Sequence, residues 1–280
     1  MKRSRFAIVI LILVLIFLYL PIIVLISNSF NLSKYGGDWT GFTFKWYQAL
    51  FSAQNREIWL SFQRSLIVAA SATLASCVIG TTAALALHRW KDRLQTAHYS
   101  LIYTPLVMPE ILMGISLLMM FTSVGVRCGL TTIIIAHITF CVSYVAMTVL
   151  ARLQDFDDSL VEAAYDLGAG PWYAFFKVQL PILLPGIIAG GLLAFTLSID
   201  DFVITFFVTG PGADTLPLKI YSMIKHSRQM PVINALSTLM LTFTCLLVAI
   251  SKITGNRKFK HGSQTKAKPS LQVQANRHVG

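Results

Sequence analysis

Six long, mostly apolar stretches constrain the fold of this chain more than any other feature of its sequence. A helix needs about 20 residues to cross the hydrocarbon core of a bilayer. Lipid offers no hydrogen-bond partners, so such segments satisfy their backbone groups by forming helices. The stretches cover residues 6–26, 66–87, 101–121, 130–150, 183–208 and 232–250. They predict an all-α membrane protein with six transmembrane helices.

The composition excludes an ordinary soluble domain. Only 12% of the 280 residues are charged and 55% are hydrophobic, whereas soluble domains carry about 25% charged residues. The basic start MKRSR precedes an apolar run that is longer than a signal-peptide core and lacks a small-residue cleavage site, which indicates an uncleaved first span. We therefore predict one six-span domain over residues 1–254. Residues 255–280 are polar and basic without periodicity, which predicts a disordered tail.

The distribution of lysine and arginine predicts the orientation. If the N-terminus is cytoplasmic, fifteen of the 23 basic residues fall on the cytoplasmic side, as the positive-inside rule requires. Both termini are then cytoplasmic, and so is the loop over residues 151–182. The net charge of +11 is explained by this topology and by attraction to anionic membrane lipid. Nucleic acid is not expected as a partner.

The second predicted span reads LIVAASATLASCVIGTTAALAL and is rich in alanine, serine, glycine and threonine. Small side chains let helix backbones approach closely. We therefore expect this span to be buried against other helices rather than to face lipid.

The cytoplasmic loop 151–182 is long for a connection without a role. Its first part, DDSLVEAAYDLGA, predicts a helix that Asp157 or Asp158 can cap and that Gly168 ends. PWYAFFKVQL predicts a second short helix with Pro171 at its first position, ended before Pro181. On these residues alone, an ordinary amphipathic loop remains an equal alternative.

Ionisable residues inside spans are the next clue, because each acid at a helix centre costs roughly 2.5–3.5 kcal/mol to insert and such residues usually mark function. The spans contain Glu110, Asp200, Asp201 and His137. At about 1.5 Å per residue, Glu110, His137 and Asp200 fall in the central to outer half of the membrane and could line one cavity. No lysine or arginine lies inside any span. This uncompensated acidic pathway favours a cationic substrate, while a structural role for each acid stays open.

Asp200 and Asp201 are about 100° apart around a helix, so only one of them can point squarely into a pore. We expect the other to bond to a neighbouring helix or to Thr205. The sequence does not decide which aspartate faces the pore. For His137, a structural role is favoured over contact with substrate.

The cytoplasmic loop resembles that of bacterial ABC importer permeases. EAA is followed after three residues by glycine, and after nine more by a hydrophobic-x-Leu-Pro segment, in which Val178 replaces the commoner isoleucine. The resemblance implies the type I importer permease fold and a coupling helix that docks onto an ATP-hydrolysing subunit. The coupling residues that it implies are Glu162, Ala163, Ala164, Gly168, Leu180 and Pro181.

Segments spread over most of the chain resemble the second permease subunit of bacterial spermidine/putrescine importers. They are PIIVLISNSFN, GFTFKWYQAL, LVMPEILMGISLL, AFTLSIDDFVITFFVTGPG and LPLKIYSM. The resemblance implies a multi-pass protein of the bacterial inner membrane. It also implies a sister permease, a pair of ATP-binding subunits and a periplasmic polyamine-binding protein as partners. The chain contains no GxxxxGK[ST] phosphate-binding loop, so we expect a permease that is not an enzyme and needs no cofactor or metal.

Other functions remain compatible with these residues. A different cationic or neutral solute is the main alternative to polyamines. A secondary transporter would require an ion site and often inverted halves, neither of which is evident, and a receptor or assembly protein would not need intramembrane acids. The preferred polyamine, the identity of the partner subunits and the role of the tail are not predictable from the sequence.

Overall fold

The structure is a computed structural model that describes residues 5–34, 38–89, 93–226 and 230–246, with side chains from residue 8 onward. Within these residues the regular structure is helical, apart from one isolated antiparallel bridge between Asn31 and Phe42. The chain divides into two compact units, Met1–Phe51 with Arg228–Gly280, and Ser52–Ser227. The prediction of an all-α protein is confirmed for the described residues.

The described helices range from a single turn to more than thirty residues. They are α1 (Arg5–Ser29), α2 (Lys45–Leu50), α3 (Arg56–Arg89), α4 (Gln95–Val107), α5 (Glu110–Ser123), α6 (Leu130–Gln154), α7 (Ser159–Asp166), α8 (Pro171–Ala174), α9 (Leu180–Asp200), α10 (Val203–Val208), α11 (Leu216–His226) and α12 (Met230–Leu246).

Among the described residues, four helical segments are long and apolar enough to cross a membrane, namely Ile8–Ser29, Ala53–Arg89, Leu130–Gln154 and Pro171–Asp200. The pair α4 and α5 makes a fifth span if it is counted as one. The sixth predicted span coincides with α12, which is described only as far as Leu246. The second span is part of a 37-residue helical segment, about 55 Å long, and so extends well beyond a hydrocarbon core of about 30 Å.

Two of the predicted spans are not straight helices. The prediction of one helix over residues 101–121 is wrong, because α4 and α5 meet at an angle of 109°. Pro109 lies at the bend, immediately before α5. A proline disfavours the helical conformation of the residue before it, and Met108 is accordingly extended, with ψ 132°.

The prediction of one helix over residues 183–208 is also wrong. Helix α9 stops at Asp200, Asp201 is extended with φ −60° and ψ 127°, and α10 starts at Val203. The Asp201 carboxylate accepts hydrogen bonds from the backbone N–H groups of Ile204 (3.3 Å) and Thr205 (2.8 Å). These N–H groups lie in the first turn of α10 and have no partner within that helix, so Asp201 both interrupts the span and caps its second part.

The core of the larger unit lies where α3, α6 and α9 pack against one another. Buried residues of α3 such as Val68, Ala72 and Ala84 belong to this core. A Cβ atom on Gly80 would come within 2.9 Å of the Val145 Cβ atom on α6, so the two backbones touch at this point. The predicted burial of the small-residue second span is confirmed for one face only, where close contact requires small side chains; Leu74 and Val78, on the same helix, are exposed.

In the smaller unit, the segment after α1 is organised around Asn31. Its side chain donates to the Asp38 carbonyl (2.9 Å) and accepts from the Thr40 backbone N–H (3.0 Å). The backbone carbonyl of Asn31 accepts a 2.7 Å hydrogen bond from the indole N–H of Trp46. The described residues between α1 and α2 are therefore held together by side-chain and backbone hydrogen bonds.

The connection between α10 and α11 is held against the start of α6 and the first half of α3. The Thr132 hydroxyl donates to the Val208 carbonyl (2.8 Å), and the Ser65 hydroxyl accepts from the Leu216 backbone N–H (2.9 Å). Gly210 lies so close to the Cys128 carbonyl that a Cβ atom there would overlap it.

We expect Gly210→Ala to destabilise this unit by at least ~1–3 kcal/mol, the usual cost of overpacking, because the obstacle is backbone and cannot rotate away. Gly129→Ala is the matched control, since its Cβ would enter open space and its φ of 175° suits any residue. The thermal unfolding midpoint of the purified protein measures the difference. Equal midpoints for the two variants would contradict the close contact.

Candidate functional site

A cavity of about 380 Å³ lies among α4, α5, α6, α9 and α10. Both helix interruptions open onto it, since Met108 and Glu110 line one side and residues 200–203 line another. Its apolar wall includes Met113, Phe140 and Tyr144. The cavity therefore combines apolar surface with the three acidic residues that the sequence analysis singled out.

Glu110 is the first residue of α5 and is exposed. The expectation that it lies in the middle of a continuous span is wrong, because the chain bends immediately before it. The start of a helix carries partial positive charge from its free N–H groups, which stabilises a carboxylate there. The bend thus brings an acidic side chain to the cavity at a position where its charge is tolerated.

The two adjacent aspartates have different environments. Asp200 ends α9 and is exposed, whereas the Asp201 side chain is only 6% exposed. Asp201 accepts a 2.8 Å hydrogen bond from the Thr205 hydroxyl, so the expectation that one aspartate bonds to Thr205 is confirmed for this residue. Neither Asp200 nor Glu110 forms an ion pair with a basic residue of the described chain.

His137 lies behind the wall of the cavity and does not line it. Its ring is fully buried, with Nδ1 2.7 Å from the Ser198 hydroxyl and Nε2 3.0 Å from the Thr205 hydroxyl. Nε2 is also 3.3 Å from an Asp201 carboxylate oxygen. The inclusion of His137 among the pathway residues is therefore corrected: both ring nitrogens are occupied by protein groups.

The loop that the sequence singled out forms α7, a tight turn and α8. Asp157 accepts a 3.0 Å hydrogen bond from the backbone N–H of Ser159, the first residue of α7. The N-cap residue Asp158 forms no side-chain bond to the helix, so of the two predicted caps only Asp157 bonds to its start. Hydrogen bonds from the hydroxyl and the backbone of Ser159 hold the pKa of Asp157 below its usual value. Glu162 and Ala163 are exposed on α7, and Ala164 is half-buried.

Gly168 ends α7 as predicted. Its φ is +85°, and two hydrogen bonds close the turn, from Gly168 N–H to the Tyr165 carbonyl (2.8 Å) and from Ala169 N–H to the Ala164 carbonyl (3.0 Å). This pair of bonds defines a Schellman motif, in which glycine supplies the left-handed residue without steric cost.

The second helix of the loop does not end before Pro181, and this prediction is wrong. The chain remains helical from Pro171 to Asp200, with one π-helical turn at Phe175–Gln179. Pro181 has no N–H to donate to the Lys177 carbonyl, and a π turn re-routes the hydrogen bonds at such a place. Leu180 and Pro181 therefore begin α9, so the loop and the span are connected by a continuous helix.

Large exposed side chains on this loop were missed by the sequence analysis. Leu167 is 89% and Trp172 75% exposed, and Tyr173 and Phe176 are also exposed. Trp172 and Phe176 stack with centroids 6.2 Å apart. Contiguous exposed apolar surface of this kind marks contact sites, and the run PWYAFF is the sequence signal that could have revealed it.

Fold and site together define a multi-pass helical membrane protein with an acidic cavity and a projecting helical loop. The family described as "binding-protein-dependent transport system inner membrane component" matches residues 76–255. The chain belongs to this family of inner-membrane permeases.

Curated relatives match most of the chain. It is 41% identical over 240 residues to the spermidine/putrescine transport system permease protein PotC of Escherichia coli (strain K12), covering 86% of this chain and 90% of the relative. It is 43% identical over 246 residues to the putrescine transport system permease protein PotI of the same organism. This match covers 85% of this chain and 86% of the relative.

Solved structures share the fold. A bacterial ABC transporter that imports the acidic polysaccharide alginate aligns with a TM-score of 0.68 at 17% identity, over 90% of this chain and 98% of that chain. The methionine ABC transporter MetNI aligns with a TM-score of 0.58 at 20% identity, over 74% of this chain and 94% of that chain. The predicted ABC importer permease fold is confirmed.

Proposed function

We propose that this chain forms, with a sister permease, the membrane pathway of an ABC importer for polyamines such as spermidine and putrescine. The observation that carries the proposal is the cavity with two carboxylates, on Glu110 and Asp200, that no basic residue of the described chain neutralises. An amine 4 Å from a carboxylate gains about 4 kcal/mol at an effective dielectric of 20. The names of the relatives PotC and PotI support the same substrate class.

The apolar wall of the cavity suits the methylene chain of a polyamine, and the carboxylates suit its ammonium groups. The pathway needs only weak contacts, because a tightly held substrate would not leave. High-affinity selection then belongs to a periplasmic polyamine-binding protein, which the family description anticipates in general terms. A different cationic solute would use the same carboxylates, whereas a neutral solute would not need them.

The loop with α7 and α8 is the proposed contact with a pair of ATP-binding subunits. Glu162, Ala163, Ala164 and Gly168 form its first helix and turn. Leu180 and Pro181 begin the span that leads to Asp200. Because the chain from Pro171 to Asp200 is helical throughout, displacement of the loop would be transmitted to the cavity wall. The chain itself is proposed to have no catalytic activity.

The proposed orientation places both termini and the α7–α8 loop in the cytoplasm of a bacterium. In a background without native cysteines, we expect Thr40→Cys and Lys225→Cys to react from outside with an impermeant thiol reagent. Tyr165→Cys should react only after the membrane is permeabilised. All three positions are exposed, so burial cannot explain a difference, and the reverse labelling pattern would overturn the orientation.

Reconstitution tests the function directly. The chain, its sister permease and their ATP-binding subunits are placed in liposomes with the binding protein, and uptake of labelled putrescine and spermidine is measured with and without ATP. We expect ATP-dependent uptake of at least one polyamine. Uptake of a neutral solute in preference to both would contradict the proposal, and failure of any ATP-binding subunit to copurify would contradict the ABC assembly.

A further inference from the structure

Three polar side chains surround the interruption between α9 and α10. Ser198 lies in the last turn of α9, Asp201 lies in the extended link, and Thr205 lies in the first turn of α10. All three converge on one buried imidazole of α6, that of His137, at 2.7 Å, 3.3 Å and 3.0 Å respectively. A single side chain from a neighbouring helix thus bridges both sides of the break.

The hydrogen-bond directions in this cluster can be derived. The hydroxyl proton of Thr205 is donated to the Asp201 carboxylate, so that hydroxyl can only accept from the ring. The Nε2 atom of His137 therefore carries a proton. A neutral ring then accepts at Nδ1 from the Ser198 hydroxyl, and every polar side-chain atom of His137, Ser198, Asp201 and Thr205 has a partner. An apolar residue at position 137 would leave the buried Ser198 hydroxyl without this partner and would remove the ring N–H from the Thr205 hydroxyl and the Asp201 carboxylate.

The break determines where the neighbouring carboxylate lies. Asp200 precedes the extended residue Asp201 and lines the cavity. If α9 continued into α10 as one helix, residues 200 and 201 would both follow the helical rotation of about 100° per residue. Asp201 would then lose its contacts with the His137 ring and the Thr205 hydroxyl. The direction of Asp200 therefore depends on the groups that hold Asp201 in place.

We infer that His137 is a positioning residue that holds the break between α9 and α10 and thereby keeps the Asp200 carboxylate in the cavity. The inference deepens the proposed function, because it assigns a role in substrate passage to a residue that does not itself touch the cavity. A histidine that merely fills space would be replaceable by an apolar residue of similar size. One that bridges Ser198, Asp201 and Thr205 is not.

Amide hydrogen exchange of the whole complex tests the structural half of this inference without any substrate. We expect His137→Leu to increase the exchange rate of the amides of residues 201–206 at least tenfold. Exchange within α6, the helix that carries residue 137, should not change. Thr139→Val is the matched control, because Thr139 lies on the same helix, is exposed, and bonds only within α6. Unchanged exchange at 201–206 in His137→Leu would overturn the inference.

Uptake kinetics test the functional half. We expect His137→Leu to raise the apparent KM for polyamine about tenfold with little change in Vmax per assembled complex, and Asp200→Asn to do the same. The double variant should resemble either single variant, because both changes remove the same contact, that between the substrate and the Asp200 carboxylate. Multiplying effects on KM, or a loss confined to Vmax, would overturn the inference.

A second pair of variants covers failure of His137→Leu to assemble. Thr205→Val removes the hydroxyl that both His137 and Asp201 use, whereas Thr205→Ser retains it. We expect faster exchange at residues 201–206 in the valine variant and not in the serine variant, and equal exchange in the two would count against the bridge. If the wild-type complex takes up no polyamine, the proposed function fails, and the exchange measurements alone decide whether His137 holds the break.

Discussion

Replacing Asp200 by asparagine and Glu110 by glutamine in one chain is expected to reduce polyamine uptake at low substrate about a hundredfold or more. Each substitution keeps the side-chain volume and removes one attraction of about 1–4 kcal/mol, depending on the local dielectric. A factor of ten corresponds to about 1.4 kcal/mol, so two lost contacts multiply to this size. Initial uptake rates in reconstituted liposomes measure the effect.

Glu57→Gln is the matched control for this pair. Glu57 is exposed in the first turn of α3 and does not line the cavity, so its amide should support wild-type uptake. The complexes must also contain equal amounts of each subunit, because the carboxylates are assigned to the pathway rather than to assembly. If the double variant transports as well as the control, the acids are structural and the argument for a cationic substrate fails.

Replacing Gly168 by valine is expected to abolish coupling between ATP hydrolysis and uptake. The φ of +85° at this residue is a left-handed conformation that costs a β-branched side chain on the order of 1–3 kcal/mol. The turn after α7 would therefore rearrange, and the surface that carries Glu162 would move. We expect uptake to fall more than tenfold while the spans remain inserted, and Glu162→Lys to act in the same direction by reversing a charge on that surface.

Gly170→Ala separates a conformational effect from crowding. Neither glycine has a neighbouring atom where a Cβ would lie, but Gly170 has an ordinary φ of −71° that alanine adopts freely. Gly170→Ala should therefore couple normally. ATP hydrolysis and uptake are measured together in the same liposomes, and equal coupling in Gly168→Val and Gly170→Ala would contradict the assignment of the loop.

The helical class of the protein was predictable because lipid leaves a spanning chain few alternatives, and long apolar stretches are easily read from a sequence. The two breaks were not predicted, because average hydropathy is the same for a straight helix and a bent one. Pro109 was a local signal that could have been used for the first break. The second break has no comparable local signal, since Asp201 is extended through contacts with His137 and Thr205 that only the fold brings together.

The candidate site shows the same division between local and tertiary information. Glu110, Asp200 and His137 were predicted to share a cavity from their positions along the spans. Glu110 and Asp200 line it, whereas His137 does not. The difference between Asp200 and Asp201 could be anticipated only in general form, as one aspartate bonded and one free. That His137 stands behind the wall depends on its pairing with Ser198, 61 residues further along the chain, which no local pattern reveals.

The central claim is that a polyamine passes Glu110 and Asp200 on its way through the membrane. A photoreactive spermidine analogue tests this most directly when the reconstituted complex is trapped during turnover, irradiated and digested for mass spectrometry. We expect labelled peptides that contain residues 108–113 or 197–204, and loss of that label when unmodified spermidine is in excess. Labelling confined to other parts of the chain, with uptake intact, would contradict the assignment of the cavity as the pathway.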